Sequence, residues 1–276
     1  TEIYTLSLHD ALPIYKPQMA FYEQYDALDA LKKTIAYIRS TGALSILDAK
    51  RNDIGTTSEA YAAAIFDVFG ADAITVNSYF GIDGVQPFLK YIPQGKGLFL
   101  LVKTSNPSSG EFQDLFSVAL PEASSETVEI SMEKQVLVRN YIQMARLLRK
   151  WGEDPKAMGT DQVYGSGGYS SLGAVVGATY PAQMVAVRKE ISRSFILIPG
   201  YGAQGGTAAD ILHGVNADGL GAIVNASRSI NFAYAQKPYN THFKEAEFAE
   251  AAKNAALDMQ QEINRALDQA GKRGAY

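Results

Sequence analysis

Residues 200–206 read GYGAQGG, a formal G-x-G-x-x-G at Gly200, Gly202 and Gly205. Spacing alone suggests the phosphate turn of a dinucleotide fold. That fingerprint belongs on the first strand-to-helix turn, with an acidic residue about 20 positions further on. Here the stretch follows FILIPG (195–200), the second-to-last strand candidate, and the next one, GAIVNAS (221–227), runs into Arg228. A glycine-rich loop after the seventh strand, with a basic residue after the eighth, is how α/β barrels grip a phosphate. Backbone N–H groups would meet the phosphate oxygens, Gln204 would donate from its amide, and Arg228 would bind in a bidentate fork. The competing reading is a tight turn with Arg228 in a surface salt bridge.

Working outward, ALSILDAK (43–50), DAITVNS (72–78), GLFLLVKTS (97–105) and GAVVGAT (173–179) are further continuous apolar runs. Such runs fit parallel strands buried on both faces. Between and after them lie amphipathic helix candidates: ALDALKKTIAYIRSTG (27–42), SEAYAAAIFDVFG (58–70), SMEKQVLVRNYIQMARLLRKWG (131–152) and EFAEAAKNAALDMQQEINRALDQAG (247–271). Each ends in a glycine suited to a C-cap. Strand–helix alternation allows an open doubly wound sheet or a closed (β/α)8 barrel. Polar residues close nearly every strand: Asp48 and Lys50, Asn77, Thr104 and Ser105, Thr179, Gly200, then Ser227 and Arg228. A barrel collects its site at that rim, whereas an open sheet concentrates it at one switch point. The barrel is the expected fold.

Composition narrows the function classes. The 276 residues carry a net charge of −4, which argues against a nucleic-acid surface, where a basic field is needed. There is no cysteine, so disulfides, thiolate nucleophiles and cysteine-held zinc are excluded, and a reducing cytoplasm is the expected location. The three histidines, His9, His213 and His242, are scattered, so neither a histidine metal cluster nor a histidine-based triad is visible. No apolar run approaches the ~20 residues of a membrane span. The expectation is a soluble enzyme without metal or cofactor.

The first fourteen residues, TEIYTLSLHDALPI, lack the charged n-region and long apolar h-region of a signal peptide. LSLHDALPI resembles a translated sequencing adapter, so residues 1–14 are read as a non-native leader and 15–276 as one barrel domain. On that reading the α/β barrel is incomplete at its N-terminus. Six strands are clear, a fragment PIYKPQ (13–18) marks the end of the second, and the first is missing or replaced.

LDAKRNDIGTT (47–57) sets two carboxylates around an ammonium. Asp48 and Lys50 share one face of an extended strand end by the period of two. Asp53 lies in the following turn, where it could flank the same ammonium or reach elsewhere. The bland reading is a charged loop before a helix whose N-cap is Thr57 or Ser58. KTSNPSSGEF (103–112) brings Ser105 and Asn106, small polar groups able to read the edge of a heterocycle, though Asn-Pro by itself marks a turn. YKPQMAFYE (15–23) brings Lys16 to the rim, with Pro17 excluding a helix there.

Together, YKPQMAFYE, LDAKRNDIGTTSEAYA, TSNPSSGEFQ and PGYGAQGG…VNASRSI resemble the orotidine 5′-phosphate decarboxylase family in its longer bacterial type, from about residue 15 to about 235. The resemblance implies a (β/α)8 barrel working as a homodimer on a pyrimidine nucleoside monophosphate. It implies that Lys16 contacts the ribose within a charged network joining Asp48, Lys50 and Asp53, and that Lys50 protonates carbon six of the pyrimidine. It places Asp53 and Thr57 in the partner subunit's site, Ser105 on the pyrimidine, and Gln204 and Arg228 on the 5′-phosphate. Three positions depart from the family pattern. No residue answers to the first-strand aspartate, Ser78 stands where proline is common, and Tyr201 stands where a small aliphatic is usual. The alternatives are a metal-dependent sugar-phosphate decarboxylase or synthase barrel of the same superfamily, and a truncated, non-catalytic chain that binds phosphate or dimerises.

Overall fold

The computed structural model describes residues 2–5, 14–118, 137–202 and 205–272. Among the described residues, ten strands run in the order β1 (Glu2–Thr5), β2 (Ile14–Lys16), β3 (Leu44–Arg51), β4 (Ala73–Val76), β5 (Gly97–Lys103), β6 (Phe116–Ser117), β7 (Val138–Arg139), β8 (Ser170–Val176), β9 (Ser194–Pro199) and β10 (Ala222–Ala226). The helices are α1 (Met19–Gln24), α2 (Leu28–Ser40), α3 (Gly55–Ala63), α4 (Ile82–Leu89), α5 (Gly110–Gln113), α6 (Asn140–Gly152), α7 (Pro155–Met158), α8 (Pro181–Glu190), α9 (Ala208–Ile211), α10 (Arg228–Asn231) and α11 (Phe248–Gln269).

Eight strands form a closed ring in the order β1-β10-β9-β8-β5-β4-β3-β2, while β6 and β7 make a separate two-stranded ribbon. Seven of the eight are parallel, which accounts for their unbroken apolar runs: helices cover the outside and side chains fill the inside. The gap expected at the first strand is bridged differently. Residues 2–5 form β1, antiparallel to β10 (Ile3 opposite Ala226) and to β2 (Glu2 opposite Lys16). Most of the remaining leader, residues 6–13, lies outside the described residues.

Each of the seven parallel strands contributes one side chain to an interior layer: Ile14, Ile46, Ala73, Phe99, Val175, Leu197 and Ile223. Outside the ring, α2 buries Leu31, Ile35 and Ile38, and α11 buries a stripe of Ala255, Met259, Ile263 and Leu267 at four-residue spacing. That spacing keeps a single helix face against the sheet. No helix among the described residues is long and apolar enough to cross a membrane.

Two helix expectations need correction. The helix expected over 131–152 begins at Asn140, behind β7, and residues 131–136 are outside the described set. Periodicity continues smoothly through Val138 and Arg139, so it cannot reveal that these two residues pair with β6. The helix after LDAKRND starts at Gly55, with an extended Ile54 before it, so neither Thr57 nor Ser58 is its N-cap. Ser58 is buried instead and donates to the Gly84 carbonyl on α4 (3.0 Å).

Candidate active site

Counting two residues on from six of the seven interior-layer residues gives Lys16, Asp48, Thr75, Leu101, Pro199 and Asn225; from Val175, itself in the pocket wall, the count reaches Gly177, which is not in the lining. All six line one pocket of about 240 Å³ at the C-terminal mouth of the barrel. The period of two aims these side chains inward above an apolar floor. Lys50, Thr104, Ser105, Tyr201, Ser227 and Arg228 also belong to the wall.

Asp48 is the hub. Its Oδ1 accepts from Lys50 Nζ (2.5 Å) and Thr75 Oγ1 (2.7 Å), and its Oδ2 accepts from Lys16 Nζ and from Gln18 Nε2 (3.2 Å). Burial would raise its pKa, but the charges and hydrogen bonds of Lys16 and Lys50 outweigh it and lower the value from 3.8 to about 2. The carboxylate is therefore ionised at neutral pH although only 5% exposed.

Lys50 does not continue the regular pleat. The ladder between β3 and β4 slips between Leu47 and Arg51, and Lys50 has φ 45°, a left-handed backbone that costs a non-glycine residue free energy. Its backbone N–H donates to Thr75 Oγ1 (3.1 Å), so one threonine holds both Asp48 and the turned strand end. Lys16 is buried at 5% side-chain exposure, whereas Lys50 remains 45% exposed and presents its ammonium to the mouth.

Among the described residues, the pocket lining carries three cations, Lys16, Lys50 and Arg228, against one carboxylate, a net of +2 on a chain whose net charge is −4. A pocket lined by charges of that sign concentrates anionic ligands. Arg228 is exposed and pairs with no carboxylate among the described residues, so the surface salt bridge is not seen. Asn225 Oδ1 and Ser227 Oγ are buried without hydrogen-bond partners and lie in the same wall, an arrangement expected where a polar ligand supplies the missing bonds.

The glycine loop is more self-contained than its sequence suggests. Gly200, Gly202 and Gly205 all have positive φ, and the N–H groups of Gly202, Gly205 and Gly206 bond to carbonyls within the loop. These three donors close the turn and do not face outward, which corrects the expectation that the loop's amides at large meet a phosphate. Gln204 lies outside the described residues. Tyr201 lines the pocket and its hydroxyl donates to Glu262 on α11 (2.7 Å), tying the loop to the terminal helix.

The site thus gathers Lys16, Asp48, Lys50, Ser105 and Arg228. Asp53 and Thr57 are not in its lining. Asp53 accepts from the Ile54 backbone N–H (2.8 Å) and does not flank Lys50, and Thr57 is exposed. Asn77 and Thr179, expected at the rim, do not line it either. Asn77 instead accepts from the Tyr79 N–H (3.1 Å). Thr75 and Asn225 take part where the rim reading passed over them. Each interrupts a hydrophobic run two residues beyond an interior side chain, which was the available signal.

The sequence profile described as Orotidine 5′-phosphate decarboxylase / HUMPS family matches residues 6–238. The chain is 40% identical to the orotidine 5′-phosphate decarboxylase of Clostridium novyi over 93% of its own length and 80% of that protein. It is 35% identical to that of Rhodopirellula baltica, over 91% and 78%. Among solved structures, the OMP decarboxylase of Leishmania donovani superposes with a TM-score of 0.66 at 28% identity, covering 92% of this chain and 80% of that one.

Proposed function

The chain belongs to the orotidine 5′-phosphate decarboxylase / HUMPS family, and from that premise we propose how its barrel mouth works as a carboxy-lyase, converting orotidine 5′-phosphate to uridine 5′-phosphate (UMP) and CO2 in pyrimidine biosynthesis. The ring of seven parallel strands and the antiparallel β1 is read as the (β/α)8 barrel of the expected enzyme, located in the cytoplasm. The observation that carries the mechanism is the Lys16–Asp48–Lys50 array, anchored by Thr75 at the base of a cationic pocket.

In the proposed reaction the bond from carbon six to the carboxylate breaks, CO2 departs, and the electron pair stays on carbon six. Lys50 gives that carbon its proton and is reprotonated from solvent. A fixed ammonium stabilises the developing charge because it needs no reorientation at the moment of reaction. Asp48, ionised and close to the departing carboxylate, disfavours the bound substrate more than the transition state. Binding of the remote phosphate by Arg228 and Gln204 offsets that repulsion. Lys16 holds the ribose and Ser105 the pyrimidine edge. No cofactor enters the scheme.

We further propose a homodimer in which Asp53 and Thr57 reach the partner's site. Their position outside their own pocket supports this, as does an exposed apolar face beside them. Ile54, Tyr79, Phe80, Phe112 and Phe116 are each about half exposed or more. Tyr79 contacts the rings of both Phe80 and Phe112, and Gly84 packs between the Asp53 carbonyl and Phe80. Such a patch on the rim suits a two-fold interface.

The test is turnover of orotidine 5′-phosphate by the purified chain with excess chelator present. CO2 release unaffected by chelator is expected. Release abolished by chelator and restored by a divalent metal ion would move the assignment to the metal-dependent branch of the superfamily.

A further inference from the structure

Lys103 closes β5 with its side chain wholly enclosed, and the decarboxylation scheme makes no use of it. The ladder between β5 and β8 slips between Leu101 and Lys103. Leu101, Thr104 and Ser105 face the pocket, while Lys103 lies outside its lining. The ammonium sits beneath the loop instead. Nζ donates to Ser109 Oγ (3.0 Å) and Asp114 Oδ2 (3.0 Å) and lies 4.3 Å from the centroid of the Tyr180 ring.

From there the bonds run on into the loop. The Ser109 hydroxyl donates to the Tyr180 oxygen (3.3 Å), and the Tyr180 hydroxyl donates to the Asn106 carbonyl (3.1 Å), next to Ser105. Gln113 brackets Thr104 on the other side of Ser105, accepting from its N–H (2.9 Å) and donating to its hydroxyl (2.8 Å). A Cβ on Gly177 would fall 2.8 Å from Ser105 Cα, so the backbone just past β8 leaves the serine no room to retreat. A buried ammonium is a poor source of stability, because removing it from water costs several kcal/mol that a well-packed apolar side chain would not incur. Here each partner of that ammonium is a loop residue or the tyrosine that braces the loop.

We propose that Lys103 is a positioning residue for base recognition: its ammonium clamps the 104–114 loop from below and thereby fixes Ser105 against the pyrimidine. This rests on the reading that Ser105 meets the base. The ligand pair that separates the two ideas is UMP, which has the base, and ribose 5-phosphate, which lacks it.

The experiment is calorimetry on the full chain carrying Lys103→Met, with Ser105→Ala as reference and thermal melting alongside. Lys103→Met should weaken UMP roughly tenfold and leave ribose 5-phosphate within about twofold of wild type, since only the base side of the site has lost its support. A lysine serving the fold alone would lower the melting temperature and affect both ligands equally, and that result overturns the proposal. If Ser105→Ala discriminates between the ligands and Lys103→Met does not, the Lys103 inference fails by itself. If Ser105→Ala does not discriminate, the reading of Ser105 fails first. Should Lys103→Met not fold, Tyr180→Phe replaces it, removing the bond to Asn106 while keeping the ion pair. A UMP-selective loss of about threefold is then expected, and unchanged UMP affinity refutes the clamp.

Discussion

Replacing Asp48 by Asn keeps the shape of the hub and removes its charge, leaving Lys16 and Lys50 facing a neutral amide. Two routes give the size of the effect. The drop in the Asp48 pKa from 3.8 to about 2, at about 1.4 kcal/mol per unit, amounts to roughly 2 kcal/mol. Stripping one partner from a buried ion pair typically costs about 3–5 kcal/mol, because the remaining charge stays buried. Lys16, at 5% exposure, stays buried but keeps its other contacts, which holds the loss below the top of that range, whereas Lys50, at 45%, can turn to water. A loss of about 2–4 kcal/mol at neutral pH is expected. The pH dependence is the sharper signature. A carboxylate with a depressed folded-state pKa stabilises the fold fully above its unfolded value of 3.8, and that contribution is lost as pH falls through about 2. Urea unfolding of wild type and Asp48→Asn, compared from pH 6 down to about pH 2.5, should show the gap narrowing below pH 4 by more than about 1 kcal/mol. A gap that stays constant over that range would refute the account of Asp48 as a carboxylate held ionised by two ammonium groups.

Arg228→Ala should weaken UMP by about 2 kcal/mol, roughly thirtyfold, and uridine hardly at all, as read by calorimetry. Equal losses for both would remove Arg228 from the phosphate. Mixing Asp53→Ala with Lys50→Ala subunits, each inactive alone, should restore roughly a quarter of wild-type turnover, because random pairing makes about half the dimers mixed and each of those has one intact site. Activity that stays at the parental level after proven subunit exchange would end the cross-subunit role of Asp53.

The sequence made the barrel legible because buried parallel strands leave unbroken apolar runs, and six of them stand out between Leu44 and Ala226. It could not show how the ring closes. β1 is four residues long and antiparallel, and strand–helix alternation carries no trace of such a strand. Asp48 and Lys50 are legible because charge at the end of an apolar run is conspicuous, and Lys16 because it stands before Pro17 at the end of the PIYKPQ fragment. Thr75 and Asn225 are hard to read from the sequence because their polarity is mild and they sit inside the runs, although their register with Ala73 and Ile223 aims them at the mouth. The order of elements puts the glycine loop after the seventh strand of the ring, but its spacing does not reveal that Gly202, Gly205 and Gly206 bond back into the loop. Lys103 is not legible in the sequence, since one lysine at a strand end looks like a solvated tip until Ser109, Asp114 and Tyr180 are placed around it.

The central claim is that Lys50 supplies the proton while the array around Asp48 holds it in place. Its most direct test is CO2 release by Lys50→Ala, measured with UMP affinity and melting temperature on the same preparation. The account predicts turnover below detection with UMP still bound and the fold intact. Turnover within about tenfold of wild type, a change of only ~1.4 kcal/mol in the barrier, would contradict it.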